Sequence, residues 1–334
     1  MTASETTSAR APRRGLPSMT VLGPILALLV LLAIGVFLNE NFLSYANITN
    51  VLARSAFIGI IAVGMTFVIT AGGLDLSVGS MAAFIAGLMI LVMNAALPSM
   101  GVGVPIILLG MATAVVAGLA AGFLNGFLIT TLGIEAFIVT LGSMGIYRSL
   151  VTWLADGGTL SLDFGLRTFY RPVYYDGILG VSWPIIVFAL VVILGEIAMR
   201  SAVFGRHCAA IGSNDQVAKY SSINVNRVRL MTYVLLGLLV GIATIMYVPR
   251  LGSASASTGL LWELEAIAAV IIGGTVLKGG FGRVWGTVIG VLILSLIGNI
   301  LNLTDLVSPY LNGAIQGAII ILAVILQREG RAGA

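Results

Sequence analysis

About ten apolar runs of membrane-spanning length follow one another along this chain, and they leave it few folds to choose from. They cover 21–38, 51–71, 76–94, 104–124, 135–155, 181–199, 230–249, 263–279, 284–303 and 308–326. A spanning helix needs roughly 17 to 25 residues. Charged residues make up only 9% of the 334 and hydrophobic residues 59%, where a soluble domain carries roughly a quarter charged. The expected fold class is all-α, a polytopic membrane helix bundle of about ten transmembrane helices with glycine-rich packing and broken helices. A single domain, 21–328, is expected between a polar, disordered cytoplasmic tail, 1–20, and a short cytoplasmic tail, 329–334. The first run is long enough to span, so no cleavable signal peptide is evident.

Basic residues are retained on the cytoplasmic side. With ten helices and the N-terminus inside, Arg10, Arg13, Arg14, the five basic residues of the segment 200–229, Lys278, Arg283, Arg328 and Arg331 are internal, twelve of the 17. The remaining five, Arg54, Arg148, Arg167, Arg171 and Arg250, fall outside or in the outer half. The external segment 156–180, with Asp156, Asp163 and Asp176, then reads as a long solvated loop or a surface for an external partner.

Small residues recur four apart in several runs: Gly118, Gly122 and Gly126; Gly237 and Gly241; Gly286 and Gly290; Gly313 and Gly317. That spacing puts them on one helix face, where a neighbouring backbone can approach. Two glycine-broken apolar segments, 61–80 and 266–286, sit in the two halves of the chain, and corresponding broken segments point to an internal repeat and a transport path. Their residues, Gly72, Gly73, Asp75 and Ser77 in one and Gly273 and Gly274 in the other, with Glu263 and Glu265 just before, are the candidates for that path. Asp75 is placed to cap the helix that follows it, and Glu263 and Glu265 to open the eighth helix in the same manner. Most tryptophans and tyrosines near helix ends, among them Trp153, Trp183, Trp262, Trp285, Tyr45, Tyr147 and Tyr233, read as interfacial belt residues.

Several chemistries are excluded. No phosphate-binding G-x-x-x-x-G-K-[ST] loop exists; the nearest approach, GGTVLKGG at 273–280, has its lysine misplaced. His207 and Cys208 are the only histidine and cysteine, so no zinc site, catalytic triad or internal disulfide can be built. No catalytic residue, metal or cofactor is expected, and nucleic-acid binding is not indicated.

The segment 200–229, RSAVFGRHCAAIGSNDQVAKYSSINVNRVR, carries Arg200, Arg206, Lys219, Arg227 and Arg229. Ser213 and Gln216 form a capping-box pattern opening a polar helix of roughly two turns through Ser222. Such a helix has no apolar stripe and is too short to persist alone, so it needs something to dock against, unless it is only a solvated loop.

The chain resembles the membrane permease subunits of bacterial ATP-binding cassette importers for monosaccharides, the ribose, xylose and galactose type, from about Leu43 to Arg328. Four segments carry the resemblance: AVGMTFVITAGGLDLSVGS at 62–80, AFIVTLGSMGIYRSL at 136–150, AIGSNDQVAKYSSINVNRVR at 210–229 and ELEAIAAVIIGGTVLKGGFGRVWGTVIG at 263–290. It implies a multi-pass protein of the bacterial inner membrane that translocates a monosaccharide, with both termini cytoplasmic. The implied partners are a second permease copy, identical or paralogous, a cytoplasmic ATPase that supplies the hydrolysis, and a periplasmic or lipid-anchored sugar-binding protein. It places the ATPase-coupling element at Ala210–Asn224, with Gly212, Ser213, Asn214, Asp215, Gln216 and Lys219, and it makes Asp156, Asp163 and Asp176 part of the docking surface for the binding protein. The chain departs from the family pattern at Ser213–Gln216, at Glu265, where the family has Asp, and at Glu135, where it has Pro. An autonomous secondary carrier or channel for a small polar solute is the alternative.

Overall fold

The computed structural model describes residues 19–304 and, beyond them, 311, 313–315 and 317–318. The last predicted run, 308–326, and both tails therefore lie largely outside the described residues. The chain is a helix bundle: α1 (Met19–Leu38), α2 (Tyr45–Thr70), α3 (Val78–Met100), α4 (Val104–Thr130), α5 (Ala136–Leu154), α6 (Phe164–Tyr170), α7 (Pro172–Tyr175), α8 (Trp183–Arg200), α9 (Val203–Ser213), α10 (Asp215–Tyr220), α11 (Val225–Leu251), α12 (Trp262–Ile272) and α13 (Val284–Thr304). Seven of these, α2, α3, α4, α5, α8, α11 and α13, are long and apolar enough to cross a bilayer, and α1 adds a shorter apolar helix at Leu22–Leu38. At ~1.5 Å per residue, the 26 residues of α2 reach about 39 Å, more than the ~30 Å hydrocarbon core.

The inner helices are α2 and α11. Nearly every residue of α2 from Ala53 to Thr70 is buried. Helix α11 packs most extensively on α4 and then on α2. The α4–α11 contact explains the glycine spacing: a Cβ on Gly237 would strike the Gly118 carbonyl oxygen and sit 2.9 Å from the Gly122 backbone, and one on Gly241 would meet the Ala114 carbonyl at 2.6 Å. Backbones in this contact touch directly, which only glycine permits. Gly286 and Gly290 of α13 do the same against Gly273 and Ala269 on the α12 side.

One end of the bundle carries a compact cap. Strand β1 (Thr159–Ser161) pairs antiparallel with β4 (Ser253–Ser255), tying the chain after α5 to the chain after α11, and β2 (Gly177–Ile178) pairs with β3 (Val181–Ser182) in a tight hairpin. The expected long loop 156–180 is thus largely ordered into α6, α7 and strands. The fully buried Tyr170 donates its hydroxyl to the Ile245 carbonyl at 2.8 Å, pinning α6 onto α11. A loop predicted from polarity alone folds here because its few large apolar residues, Leu162, Leu166 and Tyr170, are buried in the main core.

The eighth predicted run, 263–279, is not one spanning helix. Helix α12 stops at Ile272 after 11 residues, about 16 Å, roughly half a bilayer. From Gly273 to Arg283 the backbone is irregular, and its groups are satisfied inside the protein. Val276 N–H donates to the Phe281 carbonyl, Gly279 N–H to the Val276 carbonyl, and Arg283 N–H to Thr275 Oγ1. Non-helical backbone at membrane depth is tolerated only under such cover. The break between the second and third predicted runs is likewise present, since α2 ends at Thr70 and α3 begins at Val78.

Candidate functional site

The two breaks meet. Gly280 N–H donates to the Thr70 carbonyl at 2.9 Å, and Thr66 and Thr287 share a buried hydroxyl hydrogen bond of 2.8 Å. Gly72 and Gly274, one at each break, both adopt positive φ, 78° and 88°, a conformation that glycine reaches without steric cost. The segments 61–80 and 266–286 are therefore packed side by side, at the end of the bundle opposite the cap.

Helix α9 seats its C-terminus on that junction. A Cβ on Gly212 would run into the Thr70 carbonyl and the Gly280 amide and lie 3.0 Å from the Gly279 Cα. Sequence reasoning missed α9 as a helix; its signal was the 3.6-residue recurrence of Phe204, Cys208 and Ile211, the last two of which are buried. Burial pushes the Cys208 thiol up to about 12. Helix α10 covers Asp215–Tyr220, shorter than the two turns predicted through Ser222. Its cap is Asn214, whose side chain accepts from Gln216 N–H and Val217 N–H at 3.0 and 3.1 Å, and not Ser213 of the expected capping box. Ser213 is drawn into the last turn of α9 beside Gly280, so its hydroxyl cannot reach forward.

Asp215 joins α10 to the rest. Its carboxylate lies 3.4 Å from Lys219, one turn on, and 3.1 Å from Arg229 at the start of α11. Arg229 in turn donates Nε–H to the Ala71 carbonyl, the C-cap of α2, at 3.4 Å. Two consecutive polar contacts thus connect α10 to the α2–α3 break. Across the outer side of α10, Val217 and Tyr220 stand 58% and 87% exposed, apolar surface on a helix the length of a turn and a half.

Behind the first break lies a buried polar network. Asp75 accepts from Ser77 N–H at 2.8 Å and Ser77 Oγ–H at 2.6 Å, which braces the N-cap residue of α3 and does not reach the first N–H groups of the helix itself, so the expected cap takes this indirect form. Asn125 of α4 donates Nδ2–H to Asp75 Oδ2 and to Ser77 Oγ at 3.2 and 3.0 Å, and accepts from Ser143 of α5 at 2.7 Å. Tyr233 donates to the Leu74 carbonyl at 3.1 Å. Four helices are thus tied to one turn. Sequence reading overlooked Asn125, although an amide in the middle of an apolar run is the kind of residue that needs a partner.

At the cap end, a cavity of ≈ 420 Å³ opens between the first half of α2, the end of α11, the start of α12 and the second half of α13. Phe57, Tyr247 and Trp262 form one wall: Phe57 and Trp262 stack at 6.4 Å and 12°, and Tyr247 stands edge-on to both at 5.5 and 5.1 Å. Arg54, Arg250 and Glu265 supply its charges and Asn50, Asn299 and Asn302 its amides.

Of the predicted path residues, Gly72, Gly73, Asp75, Ser77, Gly273 and Gly274 gather at the junction, while Glu265 lies in the cavity wall. Glu263 joins neither group. It is buried, its Oε2 makes no hydrogen bond, and it packs against Gly79; the N-cap of α12 is Leu261, without a side-chain cap, and Glu263 and Glu265 stand in the first turn that follows it. Trp262, Tyr147 and Tyr233, expected in the interfacial belt, point into the protein, whereas Trp153, Trp183, Trp285 and Tyr45 are exposed. Asp156, Asp163 and Asp176 all face solvent on the cap, and Asp163 caps α6 by accepting from Gly165 N–H at 2.8 Å.

Comparison with known proteins adds a lineage to this geometry. Residues 47–324 match the family described as the branched-chain amino acid transport system / permease component. The chain is 39% identical over 318 residues to the ribose import permease protein RbsC of Bacillus subtilis, covering 93% of this chain and 94% of that one. It is 35% identical over 314 residues to the galactose/methyl galactoside import permease protein MglC of Escherichia coli, covering 91% and 93%, and 31% identical over 366 residues to the xylose transport system permease protein XylH of Haemophilus influenzae, covering 92% and 96%. With most of its length matched by the family and by these relatives, the chain belongs to this family of transport-system permease components.

Proposed function

We propose that the chain is the transmembrane permease subunit of an ATP-binding cassette importer that moves a monosaccharide across the bacterial inner membrane. The observation that carries this reading is the seat of α9 and α10 on both helix breaks at once, with α10 presenting Val217 and Tyr220 outward. The sugar-import relatives add the substrate class. Transport against a gradient needs an energy source, and the sequence has no nucleotide-binding loop, so ATP hydrolysis belongs to a partner docking on α10.

In this reading 201–224 and both termini face the cytoplasm and the cap faces out. ATP-driven closure of the ATPase pushes α10. Asp215 passes the movement to Arg229 and Gly212 passes it to Thr70 and Gly280, so the two breaks shift together. Such segments act as hinges because few helical hydrogen bonds cross them, and the rigid spans on either side rock. A second permease copy completes the pathway, and a sugar-binding protein docks on the cap, where Asp156, Asp163 and Asp176 are exposed.

The test is reconstitution in liposomes of the chain alone, and of the chain with its ATPase and binding protein. Sugar uptake is expected only in the complete assembly and only with ATP. Solute movement by the chain alone, at the rate of the assembly, would identify an autonomous carrier and overturn the proposal.

A further inference from the structure

The cavity at the cap end carries more positive charge than a neutral sugar requires. Arg54 enters from α2 and Arg250 from the end of α11, where the Arg250 guanidinium lies 5.9 Å from the Tyr174 ring centroid. Among the described residues the two ion pairs both belong to Asp215, so no ion pair of that kind neutralises either guanidinium. Among the described residues of the wall the one carboxylate is Glu265, and it has an interaction of its own. Among the described residues two guanidinium charges thus face one carboxylate. Like charges held together in a partly enclosed site repel more than in water, and such an arrangement marks a place where an anion is received. A guanidinium offers paired N–H donors that match a carboxylate in two parallel hydrogen bonds. The facing wall of Phe57, Tyr247 and Trp262 presents flat apolar surface of the kind that takes the C–H face of a sugar ring, and the volume lies within the roughly 300–1,000 Å³ of small-molecule sites.

We propose that this cavity binds a monosaccharide that bears a carboxylate, a uronate or an aldonate, with Arg54 and Arg250 taking the acid and Trp262 and Phe57 the ring. The inference rests on the reading of the chain as a sugar-importer permease and narrows its substrate class. Arg54 is then a specificity-determining residue.

The deciding measurement uses the full chain in nanodiscs, with Trp153, Trp183 and Trp285 replaced by Phe so that Trp262 is the only fluorophore of its kind. D-galacturonate, D-galactose and acetate are titrated in turn; the first two share a ring and differ at one carbon. Galacturonate is expected to quench Trp262 with an apparent Kd at least tenfold below that of galactose, and acetate to leave the signal unchanged. Arg54→Gln is expected to remove the preference and Arg54→Lys to keep part of it. Equal affinities of the wild-type cavity for the two sugars overturn the inference, whatever the variants do. So does competition by acetate as strong as that by galacturonate, which would mark a plain anion site. An Arg54→Gln chain that binds galacturonate normally but loses affinity for the binding protein would show that the arginine serves docking, and also overturns it. Uptake by the complete assembly separates the two levels: neutral sugar moving with no advantage for the acid defeats this inference alone, and no sugar moving at all defeats the importer reading beneath it.

Discussion

Replacing Gly212 by Ala inserts one methyl group where the structure has no room for it. Its neighbours would be the Thr70 carbonyl oxygen, the Gly280 amide nitrogen and, at 3.0 Å, the Gly279 Cα. All three are backbone, so no side chain can rotate away, and α9 must lift off the junction. Overpacking a tight contact costs about 1–3 kcal/mol. Lifting also weakens the buried hydrogen bond from Gly280 to Thr70, 2.9 Å long, worth about 1 kcal/mol. Together these give about 2–4 kcal/mol, or roughly a 30- to several-hundred-fold larger population with α9 undocked, at about 1.4 kcal/mol per factor of ten. Cys208, fully buried on α9, reports that population directly. When opening is fast compared with reaction, maleimide labelling follows the open fraction. Gly212→Ala is expected to label at pH 7.5 at least about tenfold faster than wild type and, in the complete assembly, to lose sugar uptake while ATP hydrolysis becomes independent of the binding protein. Gly142→Ala is the control, because a Cβ there meets nothing within 4 Å. Should Gly212→Ala label Cys208 at the wild-type rate, α9 is not held by this contact and the transmission path through Thr70 and Gly280 is wrong.

Three further expectations follow from single contacts. Asn214→Ala removes the cap that serves two N–H groups of α10 and is expected to cost about 0.5–2 kcal/mol, seen as faster hydrogen exchange across 215–220 with the spans unchanged; unchanged exchange would mean that α10 is held by other contacts. Asn125→Leu strips Asp75 Oδ2 and the Ser143 hydroxyl of their partner in a dry site, so a loss of about 2–5 kcal/mol in thermal unfolding is expected, and a variant melting with wild type would show that water enters there. The Cys208 thiol, held up to about 12 when folded and near 8.5 when exposed, stays protonated in the native state, so the unfolded chain binds fewer protons between those values. Its contribution to stability is complete below about pH 8.5 and falls by about 1.4 kcal/mol per pH unit above it, and Cys208→Ser is expected to flatten that slope.

Much of the architecture was legible because hydrocarbon imposes it. Apolar length places the spans: 51–71 became Tyr45–Thr70, six residues earlier at its start, and 284–303 became Val284–Thr304. The method failed at 263–279, where an apolar run is only half a helix. Apolarity reports that a segment avoids water, and irregular backbone buried against Thr70 and Thr275 avoids it equally well. The belt assignments failed for a related reason. Tyr233 near a helix end and Trp285 near another look alike in sequence, yet Tyr233 has a carbonyl to bond inside the protein and Trp285 does not turn inward.

The sequence by itself determined that the chain is a membrane helix bundle and that glycines four apart carry its closest contacts, and it pointed to the two broken segments and to a short polar helix within 200–229. These are local properties: hydropathy, spacing and the lack of an apolar stripe can each be read within one segment. Only the tertiary structure decided that both breaks touch, that Gly212 wedges between them, that Asn214 and not Ser213 caps α10, and that Arg54 and Arg250 share one cavity with Trp262. Each of those facts joins atoms from segments far apart in the chain. No pattern within a segment encodes them, because they depend on how the helices cross and on which carbonyl each side chain meets when they do.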